Sequence, residues 1–411
     1  MEHKKNPCYL GIDLNDKTAM VSYYYQGMKE PETVSTVAGD EVYSIPVVLA
    51  KRKGIGQWYY GDEARKMAKN GDMICIDSLL RRAVNGEKIV IEEETYKAED
   101  LLALYITKLM AIPHKFSNID SCDKLIVAVE TLTKDCMEMF WRIVPKIGLK
   151  TEQFIAIDYK ESFCYFALSQ VSELWAHDVF LFECDKNNMR YYSLKRNAKT
   201  MPQVITIERS PKSSIRDNKD EMFLNTMQKV FENRMISTVY LVGEGFEGDW
   251  MESSLSYLCK GRRAFMGNNL FTKGACYAAL AKEDGDKWPF IYMGENEVKF
   301  NLSLKVKSRG ELCFYNLISA GKNWFNTSGS CEVILSDTAE IDFWKQLPNS
   351  REAKIETLEL TDFPVRPDRT TRVRITAKPI SDDKIEIEIK DLGFGEFFRS
   401  SDRVWHCTMS M

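Results

Sequence analysis

Residues 8–24 read CYLGIDLNDKTAMVSYY, and this stretch decides the fold that we expect for the chain. Two runs of strand-forming residues flank the polar turn Asn15–Lys17, a pattern that predicts a β-hairpin. A second hairpin is predicted near mid-chain, where residues 179–182 and 189–194 flank the polar turn 183–188. The chain therefore starts the same pattern twice.

Patterns of strands and helices follow each hairpin. Residues 125–129 form a continuous apolar run, which predicts a strand buried on both faces, and Thr133 is placed to cap the helix after it. Residues 238–242 predict another such strand, followed by the turn Gly243–Gly245 and a helix over 250–259. The sequence therefore predicts a duplicated α/β architecture.

The periodicity changes once along the chain and suggests two domains. We expect an N-terminal domain at residues 1–285, with one lobe at about 1–175 and a second at about 176–285. Beyond it the helical period gives way to alternation of apolar and polar residues, as at 371–376. Such alternation predicts strands with one wet face, so residues 286–411 are expected to form an antiparallel β-sandwich.

The composition argues against several classes of function. The 411 residues include 56 Lys and Arg against 60 Asp and Glu, so no overall positive field favours nucleic acid or anionic lipid. No window approaches the roughly 20 apolar residues of a membrane helix, and residues 1–7 lack the features of a secretory signal. Eleven cysteines without a C-x-x-C pair suggest reduced thiols. We expect a cytoplasmic protein that binds neither nucleic acid nor membrane.

The order of these motifs resembles the actin and seventy-kilodalton heat-shock chaperone (DnaK-like) superfamily of ATPases. The resemblance implies a duplicated actin-like, ribonuclease-H-like fold with ATP or ADP and Mg²⁺ bound between two lobes. It assigns the site residues to two phosphate loops, an adenosine loop and the start of a final helix: Asp13, Asn15, Lys17, Asp185, Asn187, Gly243, Glu244, Gly245 and Gly274.

Several of these assignments have alternatives, and for Asp185 the alternative is a solvated turn. In the superfamily the counterpart of Asp13 holds Mg²⁺ through water, but an aspartate in a turn also commonly binds the N–H groups of its own hairpin. Gly243 and Gly245 suit an adenosine loop, but a tight strand-to-helix turn requires glycine with or without a purine beside it. These alternatives stay open, and a protein without any cofactor is as plausible as one with Mg-ATP.

Three positions depart from the superfamily pattern. Residues 183–188, Glu-Cys-Asp-Lys-Asn-Asn, stand where the chaperones have Asp-x-Gly-Gly-Gly-Thr. Phosphate loops need glycines so that backbone N–H groups can reach the phosphates. Leu79 stands in the place of the catalytic lysine, with Arg81 as the nearest replacement, and Tyr159 replaces the glutamate that positions water. These departures predict inefficient hydrolysis.

The last part of the chain carries a second resemblance. Residues 320–324, 366–372 and 391–398 resemble the tail of an uncharacterised bacterial family, largely from anaerobic Firmicutes. That family joins a divergent chaperone-like ATPase module to a β domain. Its function is not established, so this resemblance does not choose between binding protein and enzyme.

These observations favour a chaperone-like pseudo-ATPase, a binding or scaffold protein that holds nucleotide weakly or not at all. Its β domain would bind a protein or peptide partner. The alternative is an active ATP hydrolase and switch, in which Asp13 holds Mg²⁺, Lys17 binds phosphate and the turn at Gly243 binds adenine. A small-molecule kinase of the same superfamily would need a substrate-binding carboxylate motif between the lobes, which the sequence does not reveal.

Overall fold

A computed structural model describes residues 7–37, 39–69, 71–113, 122–283, 285, 287–336 and 339–411. Two predictions fall partly outside these residues. They are the N-terminal segment without a secretory signal, at residues 1–6, and the domain boundary at Asp284 and Asp286. The chain divides into two compact units. The first unit comprises residues 1–195 and 207–288, and the second comprises 196–206 and 289–411. The predicted boundary at 285 stays a prediction.

The first half of unit 1 combines β-strands with α-helices. Its strands are β1 (Cys8–Leu14), β2 (Thr18–Tyr25), β3 (Glu32–Thr33), β4 (Ile45–Pro46), β5 (Leu49–Arg52), β6 (Trp58–Tyr60), β7 (Met73–Ile76), β8 (Lys88–Ile91), β9 (Glu94–Lys97), β10 (Lys124–Val129) and β11 (Phe154–Asp158). Its helices are α1 (Gly61–Ala68), α2 (Leu79–Val84), α3 (Ala98–Met110), α4 (Lys134–Ile143) and α5 (Tyr159–Leu168).

The main sheet of this half has the order β11-β10-β1-β2-β3. Strand β1 pairs antiparallel with β2 and parallel with β10, which in turn pairs parallel with β11. All seven residues of β1 are buried, because the strand lies in the middle of the sheet. The first hairpin and the buried strand after it are therefore confirmed.

The second half of unit 1 repeats this arrangement. Its strands are β12 (Asp178–Asp185), β13 (Asn188–Asn197), β14 (Gln203–Arg209), β15 (Ser213–Ser214), β16 (Ile236–Val242) and β17 (Arg263–Met266), and its helices are α6 (Lys219–Phe231), α7 (Ser253–Leu258) and α8 (Leu270–Glu283). Residues 196–197 of β13 and 203–206 of β14 are counted with unit 2. The strand order is β17-β16-β12-β13-β14. Strand β12 pairs antiparallel with β13 and parallel with β16, as β1 does with its own neighbours.

Local signals explain several of these elements. The Thr133 hydroxyl accepts a 3.2 Å hydrogen bond from the N–H of Cys136 and caps α4 as predicted. Asp158 caps α5 in the same way, and its carboxylate accepts from the N–H of Glu161 at 2.8 Å. Helix α5 is buried almost throughout and packs against α8.

One predicted strand was wrong in its extent. The largely apolar run at residues 42–50, VYSIPVVLA, predicts a single strand, but β4 and β5 are two short strands that belong to different sheets. Strand β4 pairs with β2, whereas β5 pairs with β6 and β7. A turn in which the N–H of Val48 bonds to the carbonyl of Pro46 takes the chain from one sheet to the other.

Unit 2 is dominated by antiparallel strands. Its own strands are β18 (Phe290–Tyr292), β19 (Asn301–Ser308), β20 (Glu311–Ile318), β21 (Gly329–Leu335), β22 (Glu340–Gln346), β23 (Ala353–Glu359), β24 (Thr371–Pro379), β25 (Lys384–Gly393) and β26 (Val404–Ser410). Strand β18 pairs parallel with residues 203–205 of β14. The others form two antiparallel sheets, β20-β19-β22-β23 and β21-β24-β25-β26, whose apolar residues share one core.

A buried ion pair in unit 2 joins Asp391 of β25 to Arg366, which precedes β24. Asp391 is fully buried, and both of its oxygens accept hydrogen bonds from the Arg366 guanidinium, at 2.8 and 2.7 Å. Burial opposes the charge of Asp391, but the Arg366 and Ser401 hydrogen bonds hold its pKa well below the usual range. This carboxylate therefore has a structural role. Within the described ranges no helix has the length and apolar character needed to cross a membrane.

Candidate functional site

A cleft of about 750 Å³ lies in unit 1 where the two hairpin turns face the ends of β10 and β16. Of the predicted site residues, those that line it are Asp13, Asn15, Lys17, Asp185, Gly243 and Glu244. Residues far apart in sequence are thus brought together at one cleft. Asn187, Gly245 and Gly274 do not line this cleft in the described part of the chain.

The carboxylate of Asp13 has a partner that the sequence did not reveal. The Tyr159 hydroxyl donates a 2.5 Å hydrogen bond to Asp13 Oδ1, and both side chains are buried. The Tyr159 ring stacks on Phe271 at 3.9 Å between centroids, which fixes its orientation. Burial raises the pKa of Asp13 to about 7; the hydrogen bond from Tyr159 opposes this rise, and the nearby Glu183 charge adds to it.

In the first hairpin turn, Asn15–Lys17, backbone N–H groups are bound by a side chain of the turn itself. The side-chain oxygen of Asn15 accepts hydrogen bonds from the backbone N–H groups of Lys17 and Thr18, each at 2.9 Å. Asp16 accepts from the backbone N–H of Arg81 at 2.8 Å and so joins the turn to α2. A phosphate in this turn would have to displace Asn15 to reach those two N–H groups.

A buried arginine binds Glu183, another carboxylate that lines the cleft. Arg190 donates to both oxygens of Glu183, at 2.7 and 2.9 Å, and to Glu130 at 2.7 Å. Tyr192 donates a further hydrogen bond to Glu183 at 2.8 Å. Burial works against the charge of Arg190, yet the hydrogen bonds with Glu183 and Glu130 keep its pKa above the ordinary value. Glu183 is therefore held by three donor groups.

Sequence reasoning missed Arg190, Tyr192 and Glu130, although a signal for the first was present. Glu183 and Arg190 lie directly opposite each other in the β12–β13 hairpin. Once the hairpin register is known, a cross-strand pair of opposite charges is expected there. Glu130 gave no such signal, because it follows a different strand and meets Arg190 only in the folded chain.

A weak ion pair connects the two turns. The ammonium of Lys17 lies 3.7 Å from Asp185, and the two side chains are 76% and 44% exposed. Pairs with this exposure contribute about 0–1 kcal/mol. The cation that was predicted to meet a phosphate therefore faces a carboxylate of the same protein.

Close packing accounts for the glycines of the predicted adenosine loop. A Cβ on Gly243 would lie 2.2 Å from the carbonyl oxygen of Cys184, and one on Gly245 would lie 2.3 Å from its sulfur. The φ angle of Gly243 is +106°, a conformation that favours glycine. Its N–H donates to Asn268 at 2.7 Å. The tight turn requires both glycines whether or not a purine binds.

The two remaining site residues lie in structural contacts. A Cβ on Gly274 would lie 2.3 Å from the carbonyl oxygen of Ser162, so this glycine lets α8 approach α5. The carbonyl of Asn187 accepts a 2.7 Å hydrogen bond from the N–H of Ile215. The structure explains both positions by contacts within the chain, and their predicted cofactor roles stay predictions.

Two protein-family models together match most of the chain. A family model described as "Family of unknown function (DUF5716) C-terminal" matches residues 30–295. The chain belongs to the DUF5716 family. A second model, "Domain of unknown function (DUF8552)", matches residues 297–411, the antiparallel β region. The two matches carry no superfamily assignment, and no curated protein matches the chain.

The DUF5716 match covers only part of the cleft. The second hairpin turn and the turn at Gly243 lie within residues 30–295, whereas Asp13 and the first turn precede them. Among the described residues of this DUF5716 protein, no three His, Cys, Asp or Glu side chains are grouped to hold a metal ion. The role of Asp13 as a Mg²⁺ ligand stays a prediction.

Proposed function

We propose that unit 1 is a divergent actin-like module of the heat-shock chaperone type. The support is topological: β3-β2-β1-β10-β11 and β14-β13-β12-β16-β17 have the same order, with the first strand of each half antiparallel to its hairpin partner. The helices that follow the third, fourth and fifth strands of each sheet also correspond: α3, α4 and α5 in one half, and α6, α7 and α8 in the other. A ribonuclease-H-like unit has been duplicated.

Within this fold the protein acts as a pseudo-ATPase, a binding or scaffold protein that holds nucleotide weakly or not at all. One observation carries this proposal: the groups that would engage Mg-ATP are already bound to each other. Asn15 takes the N–H groups of the first turn, Tyr159 takes one oxygen of Asp13, and Arg190 takes both oxygens of Glu183. Nucleotide binding would have to break several of these contacts, which costs free energy.

Unit 2 supplies the binding function in this proposal. Its two antiparallel sheets with a shared core suit a β-sandwich, and we assign to it a protein or peptide partner. The proposal places the protein in the cytoplasm of a bacterium, and its eleven unpaired cysteines support a reducing compartment. Neither nucleic acid nor membrane is part of it.

The test is the melting temperature of the full chain with and without millimolar Mg-ATP, since a ligand that binds only the native state must stabilise it. We expect a shift of less than about 1 °C. Mg-tripolyphosphate without the nucleoside serves as the control for nonspecific anion effects. A shift of about 3 °C or more that Asp13→Ala abolishes would instead support the active ATPase, whose cleft has room for a nucleotide.

A gain-of-binding variant tests the physical reason directly. Asn15→Gly frees the N–H groups of Lys17 and Thr18, and Asp185→Gly removes the carboxylate that faces Lys17. If these contacts block the cleft, the double variant should show a larger shift with Mg-ATP than the parent chain. Asp217→Gly, an exposed position away from the cleft, is the control for the general effect of a glycine.

A further inference from the structure

The outer face of one sheet in unit 2 is unusually apolar. Three apolar side chains on this face are exposed: Leu312 (68%), Phe314 (58%) and Ile355 (52%). The half-buried Trp344 lies between them. The Phe314 and Trp344 rings meet edge to face at 5.1 Å. We call these four residues, together with Lys305 and Lys307, the β20 surface. Exposed apolar groups that cluster in this way usually mark an interaction site.

The other sheet of unit 2 provides an internal comparison. Its exposed positions alternate charged residues with the core, as in Arg372 and Arg374 on β24 and Glu386 and Glu388 on β25. Arg374 also donates to Glu332 across the sheet at 2.7 Å. This is the normal solvated face of an antiparallel sheet. The apolar character of the β20 surface is therefore a property of that sheet and not of the whole unit.

Strand β20 is also an open edge. It ends the sheet order β20-β19-β22-β23, and in the described part of the chain no strand pairs with its other side along Glu311–Asn316. Beyond this stretch Leu317 is buried, and a Cβ on Gly329 would touch its carbonyl oxygen. The six residues Glu311–Asn316 are all exposed. An open edge of this kind is a template for an added strand.

The hairpin geometry indicates which backbone groups are available. Arg309 and Gly310 both have positive φ, so they form a two-residue turn closed by the pair Ser308 and Glu311. Because hydrogen-bonded pairs alternate along an antiparallel ladder, Leu312 and Phe314 direct their N–H and C=O groups toward the open edge. The residues with the exposed apolar side chains thus also offer the free backbone groups.

Charge selects the kind of partner. Lys305 lies opposite Phe314 and Lys307 lies opposite Leu312, and Arg309 follows in the turn. Three cations therefore border the apolar residues on the strand β19 side. A second copy of this chain paired along β20 would present Leu312, Phe314 and Asn316 on this face and would bring no carboxylate to these cations. An acidic segment would meet complementary charge.

We propose that the β20 surface binds an extended, acidic and apolar segment of a partner protein, which adds to the sheet as a strand beside β20. This inference rests on the proposed role of unit 2 in binding a protein. The backbone of the segment pairs with Leu312 and Phe314, its apolar side chains pack on Phe314 and Trp344, and its carboxylates face Lys305 and Lys307. Main-chain pairing supplies affinity, and the side chains supply specificity.

The probe is a short fluorescent peptide in which Leu and Asp alternate at every second residue, with Thr between them, so that both lie on one face of the added strand. Its binding to the full chain is measured by fluorescence anisotropy. Saturable binding is expected, and it should be weaker by about tenfold or more when Lys replaces Asp in the peptide. A peptide with N-methyl groups on alternate residues should lose binding by a similar factor, because it cannot form the ladder.

Two variants assign the binding to this surface. Phe314→Ser and the double variant Lys305→Glu/Lys307→Glu should each weaken binding of the acidic peptide by about tenfold. Ile334→Ser removes an exposed aliphatic side chain from β21 in the other sheet and should leave binding unchanged. The mutated side chains are exposed or half-buried at the surface, and unchanged melting temperatures would confirm that the variants fold.

Failure of the acidic peptide to bind, or equal binding to the Phe314→Ser variant, would overturn the inference. Dimerisation of the full chain that Phe314→Ser abolishes would overturn it as well, in favour of a second copy as the occupant. None of these results changes the response to Mg-ATP. The pseudo-ATPase proposal can therefore fail or survive independently of this one.

Discussion

The hydroxyl of Tyr159 donates a 2.5 Å hydrogen bond to Oδ1 of Asp13, and both residues line the cleft of unit 1. Asp13 belongs to β1 and Tyr159 begins the helix after β11, two strands away in the same sheet. The bond holds in place a carboxylate that burial would otherwise leave without a donor. It also occupies one of the two oxygens that Asp13 could offer to a hydrated metal ion.

Tyr159→Phe should destabilise unit 1 by about 1–3 kcal/mol at pH 8, because a buried and ionised Asp13 then lacks its donor. The effect should be smaller at pH 5, where Asp13 is largely protonated in the native state. Urea denaturation followed by circular dichroism at both pH values measures it. Tyr25→Phe, at an exposed tyrosine of the same sheet, should stay within about 0.5 kcal/mol of the parent chain. Equal effects at the two pH values would contradict the assignment.

The stability of the chain should depend on the ionisation of Asp13. Its pKa is about 7 in the folded chain, against 3.8 as the reference value, so the native state binds more protons than the unfolded state between these pH values. Stability from this group therefore falls as pH rises from about 4 to 7 and is constant above that range. The free energy of unfolding of Asp13→Asn relative to the parent should rise by about 1–3 kcal/mol over the same window.

The matched control for this pH profile is Asp217→Asn, at an exposed aspartate. Its stability difference from the parent chain is the baseline against which the rise in the Asp13→Asn difference is measured. A flat difference for Asp13→Asn would mean that the carboxylate ionises at its ordinary pKa in the folded chain.

Arg190→Met should cost about 3–5 kcal/mol of stability, because it removes a buried guanidinium and leaves the half-buried Glu183 without its main donor. The double variant Arg190→Met/Glu183→Gln should recover a large part of that loss, and the cycle isolates the interaction between the two residues. Lys195→Met on the same strand breaks only the exposed pair with Glu208 and should cost about 0–1 kcal/mol. No recovery in the double variant would show that Arg190 acts mainly through Glu130 or through packing.

Gly274→Ala should destabilise unit 1 by about 1–3 kcal/mol, because its Cβ would meet the backbone of Ser162 and push α8 away from α5. Gly56→Ala is the control, since a Cβ there has open space around it and no left-handed φ. Thermal unfolding of the two variants compares them directly. A Gly274→Ala variant of normal stability would indicate that the two helices separate at little cost, and the contact explanation for this glycine would fail.

Much of the fold could be predicted from local patterns. The hairpin at residues 8–24, the buried strand β10 and the helix capped by Thr133 each follow from signals within a few residues. The run 42–50 was misjudged, because no local signal says that Ile45 and Leu49 pair in different sheets. The pairing of distant strands depends on which edges are free in the folded chain.

The candidate site, too, could be predicted only in part from local sequence. The sequence placed Asp13, Lys17, Asp185 and Gly243 in corresponding turns, and the structure brings all four to one cleft. Arg190 could have been found from the hairpin register, but Tyr159 was noticed only as a departure from a pattern. Its hydrogen-bond partner could not be predicted from spacing alone.

By itself, the sequence determined the periodic elements, because strand alternation, helical spacing and caps depend on residues that are near neighbours in the chain. Only the tertiary structure decided which polar groups satisfy each other in the cleft. Tyr159 and Asp13 are 146 residues apart, and Arg190 and Glu130 are 60 apart. Burial makes an unpaired charge costly, so such partners are selected by position in the folded core, and position there is set by the packing of the whole unit.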